Sequence, residues 1–426
     1  MIDLALLREN PDRIRTLVHK KDPAYNIDQL IDLDAQVRVI RQAVEDLRHE
    51  KNELAKQARG GVTPELRERS IMIGKELKTK EAELEVLEQK FNELYLFCPN
   101  IPSDDVPVGN KEANKVVKVV GEKPFQKKDF INEYYFSNQE VKYPIKNHVE
   151  LGTDLGWFDF DAAARMAGSN FALYKGDAVK LLYALAMFML KNNMKHGFEL
   201  VLPSVLVNAK SLEVTGNFPK FRDQAYKVPE DDLYLTPTAE VNLGNLYRDH
   251  ILRIEDLPIR MTAWTSCFRR EAGTYGATER GLIRIHQFEK VELYTICAPD
   301  KSQNELERML ACAEDILQQL GLHYRISLLA AQDCSFASAK TYDIEVWLPG
   351  QGQYYEVSSV SNCTDFQARR GKIRFKIDAT SKTELVHTLN GSSLALPRLM
   401  VAIMETYQQP DGSIKIPDIL KKEALF

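Results

Sequence analysis

The chain has 426 residues, 44% of them hydrophobic and 27% charged, with a formal net charge of -5. That is the make-up of a globular protein too long for one ordinary core, so two or more domains are expected. The acidic balance excludes a surface that is basic overall, which leaves a polyanion only a local patch to bind.

The opening, MIDLALLRENPDRI, meets an acid and an arginine almost at once, so no secretory signal is expected. From about residue 27 to 98 the pattern is heptad-like. Leu30, Leu33, Val37, Ile40, Val44, Leu47 and Leu54 lie alternately three and four apart, broken only by Lys51. ARGGVTP then stops the helix, and Ile73, Leu77, Leu84, Leu87, Phe91 and Leu94 form a second seam. Two such helices should fold back as an antiparallel coiled-coil arm, each on the order of 45 Å long. Lys51, Lys56, Arg59, Arg67, Arg69, Lys75, Lys78 and Lys80 crowd its tip half among glutamates, a pattern that by itself reads as a solvated face.

The prolines of CPNIPSDDVPVGN mark a linker, which divides the chain into domains 1–105 and 106–426. Beyond it, helices are expected at GDAVKLLYALAMFMLKNNM, KSQNELERMLACAEDILQQLG and PRLMVAIMETYQ. The apolar stretch LLYALAMFML, bounded by Lys180 and Lys191, is too short to span a bilayer. Strand-like runs cluster between Tyr234 and Tyr294 and again at KTYDIEVWLP and YYEVSSVS. Without strict strand-helix alternation, the fold class is α+β, a mostly antiparallel sheet with helices packed on it. The six cysteines, at 98, 267, 297, 312, 334 and 363, form no C-x-x-C pair, so reduced thiols, no zinc and a cytoplasmic location are expected.

Chemistry concentrates in CFRREAGTYGATERGLIRIHQFEKVELY, where charges sit inside two strand-like runs. Side chains of a strand alternate between faces, so Arg269 and Glu271 share one face of the first run. Arg284, His286, Phe288, Lys290, Glu292 and Tyr294 share one face of the second, and Ile283, Ile285, Val291 and Leu293 take the other. One face is core and the other is built to hold something charged. An arginine fork suits phosphate and an aromatic ring suits a base. His286 reads as a structural histidine. There is no G-x-x-x-x-G-K-[ST] and no strand-borne G-x-G-x-x-G, so a nucleotide would have to be held by arginines and carboxylates.

Three further runs fit that face. In YLTPTAEVNL, Thr238 and Glu240 lie two apart on an expected strand. In YYEVSSVSNC, Glu356 and Ser358 share a face, with Ser359 adjacent. In LNGSSLALPRLM, Asn390, Gly391 and Ser392 precede a helix whose first turn takes Pro397 and sets Arg398 at its electropositive end.

With these runs in place the chain resembles seryl-tRNA synthetase, of the bacterial-type class II family, along essentially its whole length. HGFELVLPSVLVN is similar to the first class motif, CFRRE to HQFEKVE to the second, and the helix at Arg398 to the third. LTPTAE and EVSS are similar to signatures of the seryl branch.

The resemblance implies an N-terminal tRNA-binding arm, a class II catalytic domain, a homodimer and no membrane partner. It implies that Arg269 contacts the α-phosphate of ATP, Glu271 the adenine side, Phe288 the adenine ring and Arg398 the γ-phosphate. Arg270, Ile285, Glu356, Val357, Ser358 and Ser359 complete the ATP set, with Glu356 and Ser359 holding Mg2+. Thr238, Ala239, Glu240 and Glu292 would bind the amino side of L-serine, and Asn390 and Ser392 its hydroxyl end. Arg269, Arg398 and Glu292 form the implied catalytic set. The arm would reach tRNA(Ser). The chain departs from the family pattern at Ser393, Pro397 and Ala277, and Ser393 falls beside the expected hydroxyl pocket. The competing reading is a non-catalytic nucleic-acid-binding or scaffold protein in which the arm is the function.

Overall fold

The heptad seams become two long helices, α1 (Ile27–Gln57) and α2 (Pro64–Leu96), in the computed structural model, which describes residues 1–127, 134–136, 139–141, 143–272 and 281–423. Local chemistry starts each. The Asn26 side chain accepts from the Gln29 N–H, and the Thr63 hydroxyl accepts from the Leu66 N–H with Pro64 at the first helical position. Leu30, Leu33, Val37, Val44, Ile73, Leu77 and Phe91 are buried along the shared seam. Ion pairs Arg41–Glu88 at 2.7 Å and Arg48–Glu81 at 2.8 Å mark the antiparallel register from outside it. Two short helices, Leu4–Glu9 and Pro11–Lys21, complete this unit, which runs from Met1 to Ile101. Asp34 of α1 is buried, and Arg8 holds it with a two-pronged fork at 2.7 and 2.8 Å.

The second unit, Pro102–Phe426, is built on an eight-stranded sheet. In chain order its strands are β1 (Lys115–Val120), β2 (Glu199–Leu200), β3 (Ile259–Phe268), β4 (Gln287–Cys297), β5 (Tyr324–Leu328), β6 (Lys340–Leu348), β7 (Gln353–Asn362) and β8 (His387–Ala395). In space they run β1-β5-β6-β7-β8-β4-β3-β2, antiparallel except where β2 joins β3. Five helices matter for the site: α3 (His148–Asp154), α4 (Asp177–Lys195), α5 (Ala239–Leu243), α6 (Ser302–Gln319) and α7 (Leu396–Thr406). Helices α4, α6 and α7 cover one face of the sheet, packing Leu181, Leu185, Leu306, Ile316, Leu399 and Ile403 on Val291, Leu293, Val360 and Leu394. Burying each such side chain stabilises by about 1.5–3 kcal/mol, which makes this face the rigid floor of the fold.

Two register shifts shape the other face. Val291 opposes Leu394 but Glu292 opposes Ser392, leaving Ser393 as an extra residue. Ile344 opposes Ser358 but Glu345 opposes Glu356, leaving Val357 as an extra residue. A bulge of this kind re-aims the side chains on one side of it.

Several strand-face expectations are corrected here. Strand β3 ends at Phe268 and Glu271 has φ 47°, so Arg269 and Glu271 lie beyond the strand. Arg284 and His286 precede β4, which begins at Gln287. Tyr294 shares a face with Lys290 and Glu292, yet it is fully buried beneath α5 among Ala239, Leu243 and Met261. Thr238 and Glu240 are not on a strand; Thr238 caps α5, its hydroxyl accepting from the Glu240 N–H at 3.2 Å. Because of the Val357 bulge, it is Ser359 that shares the face of Glu356, while Ser358 turns away and donates to the Ser392 carbonyl. Ala277 lies outside the described residues.

Candidate active site

A cleft of about 240 Å³ opens on the face of the sheet away from α4, α6 and α7. Arg269, Glu271, Ile285, Phe288, Glu356, Val357, Ser392 and Arg398, all singled out from the sequence, line it together with Leu282, Ile283, Arg284, Lys290, Ala395 and Pro397. At one side the Arg269 guanidinium stands 5.2 Å from the Phe288 ring centre, a cation over an aromatic face. Glu271 faces Arg284 at 3.7 Å. Arg398, on the first turn of α7, donates to the Glu356 carbonyl at 2.8 Å and to the Ile283 carbonyl at 3.2 Å. Arg398 also stands 3.9 Å from the Glu356 carboxylate, so the cations of the cleft already rest on oxygen acceptors of the chain.

Adjoining the cleft at Lys290, an acidic pocket is built by three elements. The Thr238 hydroxyl, fixed by the start of α5, donates to Glu292 Oε2 at 2.9 Å and accepts from Lys290 Nζ at 2.8 Å. Lys290 also forms a short ion pair with Glu292, and both are almost wholly buried. From β8, Asn390 Nδ2 donates to Glu240 Oε1 at 3.0 Å, and Gln367 donates to the same oxygen at 2.6 Å. Burial, and then the neighbouring Glu292 charge, push the Glu240 carboxyl up to about 7. Two carboxylates therefore share a buried space with one resident ammonium, an arrangement suited to a ligand that brings its own.

The remaining implied residues separate. Arg270 is exposed and does not line the cleft. Ala239 is buried with its methyl in the core under α5. Ser393 points its hydroxyl away from the cleft, into α4. His286 lies at the edge, its Nδ1 3.0 Å from the Arg269 carbonyl and its ring against Phe171, which is the structural role expected of it. Gln367 escaped the sequence reading. It ties Glu240, Tyr294 and Thr388 together across the sheet, and no motif announces a contact between residues 127 positions apart.

The family profile described as tRNA synthetase class II core domain (G, H, P, S and T) matches residues 224–407, and the one described as Seryl-tRNA synthetase N-terminal domain matches residues 1–102. The serine--tRNA ligase of Syntrophobacter fumaroxidans is 45% identical over 99% of this chain and 98% of its own. The chain belongs to the seryl-tRNA synthetase family. Its activity class is that of a serine--tRNA ligase, and a non-catalytic scaffold is not favoured. Among solved structures, seryl-tRNA synthetase of Pyrococcus horikoshii, complexed with ATP, superposes with a TM-score of 0.90 at 35% identity, covering 99% of this chain and 98% of that one. The cytoplasmic enzyme of Naegleria fowleri, in complex with AMP, does so with a TM-score of 0.84 at 26% identity over 99% and 96%. The seryl-tRNA synthetase fold thus extends over both units, and no described helix is long and apolar enough to cross a membrane.

Proposed function

We propose that this cleft is where the enzyme joins ATP and L-serine into seryl-adenylate before passing serine to tRNA. Adenine lies on Phe288 beside Glu271 and Ile285, and Arg269 meets the α-phosphate. Arg398 exchanges its carbonyl partners for the γ-phosphate. The serine ammonium enters the space of Thr238, Glu240 and Glu292, and its hydroxyl meets Ser392 and Asn390. A serine carboxylate oxygen then bonds to the α-phosphorus as the bond from that phosphorus to the bridging oxygen breaks, and pyrophosphate leaves with its electron pair. The attacking carboxylate is already ionised near neutral pH, so this step needs positioning and charge stabilisation rather than a base. A hydroxyl of the terminal adenosine of tRNA next attacks the seryl carbonyl and releases AMP.

The observation that carries this reading is the pairing of opposites side by side: Arg269 and Arg398 line the nucleotide cleft, and Glu240 and Glu292 stand beyond its Lys290, which is ion-paired with Glu292. Each half matches one substrate's charge.

A divalent cation fits between them. Asp343 Oδ1 is buried without a hydrogen-bond partner among the described residues, on the face shared by Glu356 and Ser359. Burial and the Glu356 charge push the Asp343 carboxyl well above its ordinary range, as a carboxylate awaiting a cation would be. Glu356 and Ser359 would hold it, and when bound it supplies positive charge against the phosphate oxygens.

The helical hairpin of α1 and α2 is the proposed contact for tRNA(Ser), its basic tip facing phosphates. Exposed Leu200, Leu202 and Leu206, with Leu202 90% exposed, support a homodimer built through that apolar strip. A cytoplasmic location is part of the same proposal. Serine-dependent exchange of pyrophosphate into ATP, run beside threonine, glycine and alanine, tests the whole assignment. Exchange with serine alone is expected, and none with serine would overturn it.

A further inference from the structure

Leu282 and Ile283 form part of the nucleotide half of the cleft, and the chain there has no strand pairing to hold it, since β4 begins only at Gln287. Two of its backbone groups are nevertheless fixed, one directly from α7 and one from α3 with the support of α7. Arg398 donates to the Ile283 carbonyl at 3.2 Å. The Leu282 N–H donates to Nε2 of His148, at 3.1 Å, and His148 in turn is held by Glu405, seven residues after Arg398 on α7.

This second anchor is fully buried: His148 is 2% and Glu405 0% exposed. Because a backbone N–H can only donate, Nε2 must be the unprotonated acceptor, so the proton sits on Nδ1 and faces Glu405 Oε1 at 3.2 Å. The same Oε1 accepts from the His148 N–H at 3.0 Å, and Oε2 accepts from the Gly350 N–H at 2.9 Å. The imidazole cannot turn or change tautomer without leaving one of these groups unpaired. Gly281 completes the fit. Its φ is +71°, and a Cβ placed there would stand 2.2 Å from His148 Nε2. Only glycine lets the backbone come this close.

We propose that His148 is a positioning residue for the nucleotide half of the reaction, acting through the Leu282 N–H. This rests on the reading that ATP occupies the cleft. When Arg398 turns from the Ile283 carbonyl to a phosphate, the direct anchor on this wall is released. The His148–Glu405 anchor stays, because none of its atoms faces the ligand. It therefore keeps Leu282 and Ile283 in the position against which the nucleotide packs, while the serine end, built from α5, β4 and β8, does not depend on it.

The test uses full-length H148N and H148Q, compared with the wild-type enzyme in serine-dependent pyrophosphate exchange, titrating ATP and serine separately. Asparagine places its carbonyl near the position of Nδ1 and cannot reach Leu282, whereas glutamine carries an acceptor out to the position of Nε2. H148N is expected to raise KM for ATP about tenfold, the scale of one buried donor left unpaired, with KM for serine changed by less than about twofold. H148Q should recover most of that loss. Wild-type KM for ATP in H148N would overturn the proposal. So would a parallel rise in both KM values with equal loss in H148Q and a lowered Tm, which is what a purely structural histidine gives. If the wild-type enzyme shows no exchange at all, the ATP reading itself fails and this proposal falls with it.

Discussion

The Ser393 hydroxyl donates to Asn193 Oδ1 of α4 at 2.9 Å, on the side of the sheet opposite the cleft. Ser393 is the extra residue of the β4–β8 bulge, so its neighbour Ser392 faces Glu292 while it faces the helices. Asn193 passes the link on, donating to Thr262 at 2.9 Å. The departure from the family pattern at this position is thus a packing feature. S393A is expected to lower unfolding free energy by about 1 kcal/mol, the worth of one buried hydrogen bond, and to leave KM for serine unchanged. S392A should do the reverse, raising KM for serine with little change in stability. Urea unfolding and exchange kinetics on both variants separate the two outcomes.

With Glu240 in the proposed serine site, serine affinity is expected to depend on pH. Its carboxyl, pushed up to about 7, holds a proton below that pH in the empty site, and an ammonium ligand favours the ionised form. Binding therefore releases a proton, and affinity falls as pH drops through 7. KM for serine should rise by up to about tenfold per pH unit there, the limit for one linked proton. E240Q should flatten this dependence while raising KM at pH 8. Serine titrations between pH 6 and 8.5 check it.

Arg398 is asked to stabilise charge on the transferring nucleotide. R398A should lower kcat by about 10²-fold or more, as removal of a preorganised donor does elsewhere. R398K keeps the charge but loses the fork that spans the Glu356 and Ile283 carbonyls, so it should recover little. Single-turnover adenylate formation at saturating serine reads the effect directly.

The hairpin can be shortened without touching the apolar cluster at its base. The register of Arg41–Glu88 and Arg48–Glu81 sets Glu45 opposite Leu84. Replacing residues 46–83 by a glycine-serine turn keeps Leu30, Leu33, Val37, Leu84, Leu87 and Phe91, which pack with the first two helices. Such a variant should exchange pyrophosphate normally and fail to charge tRNA. If the tip holds tRNA through phosphates, KM for tRNA in the intact enzyme should rise steeply with salt. Charging by the shortened protein at the normal rate would show that the hairpin serves another purpose.

Much of this was readable along the chain because it depends on neighbours in sequence. Heptads at Leu30 to Leu54 and Ile73 to Leu94 require helices, and ARGGVTP requires a break between them, whatever surrounds them. The helices at Asp177, Ser302 and Leu396 and the long strands at Lys340 and Gln353 follow from periodicity in the same way. Most cleft-lining residues were also found, because CFRRE, HQFEKVE and EVSS carry their chemistry in short runs.

What the sequence could not decide is which way side chains point once the count of two is interrupted. Counting by twos put Glu356 with Ser358, and the bulge at Val357 made that wrong. A bulge is chosen by how two strands far apart in sequence pair, so Val357 and Ser393 become extra residues only when β7 meets β6 and β8 meets β4. The same holds for Gln367, which reaches Glu240 from another helix, and for His148, which meets Leu282 and Glu405 only in the folded protein. Local sequence determined the elements and the kinds of chemistry they carry. Long-range pairing decided which of those groups face one another, because that is settled by burial and hydrogen bonding between segments no local rule relates.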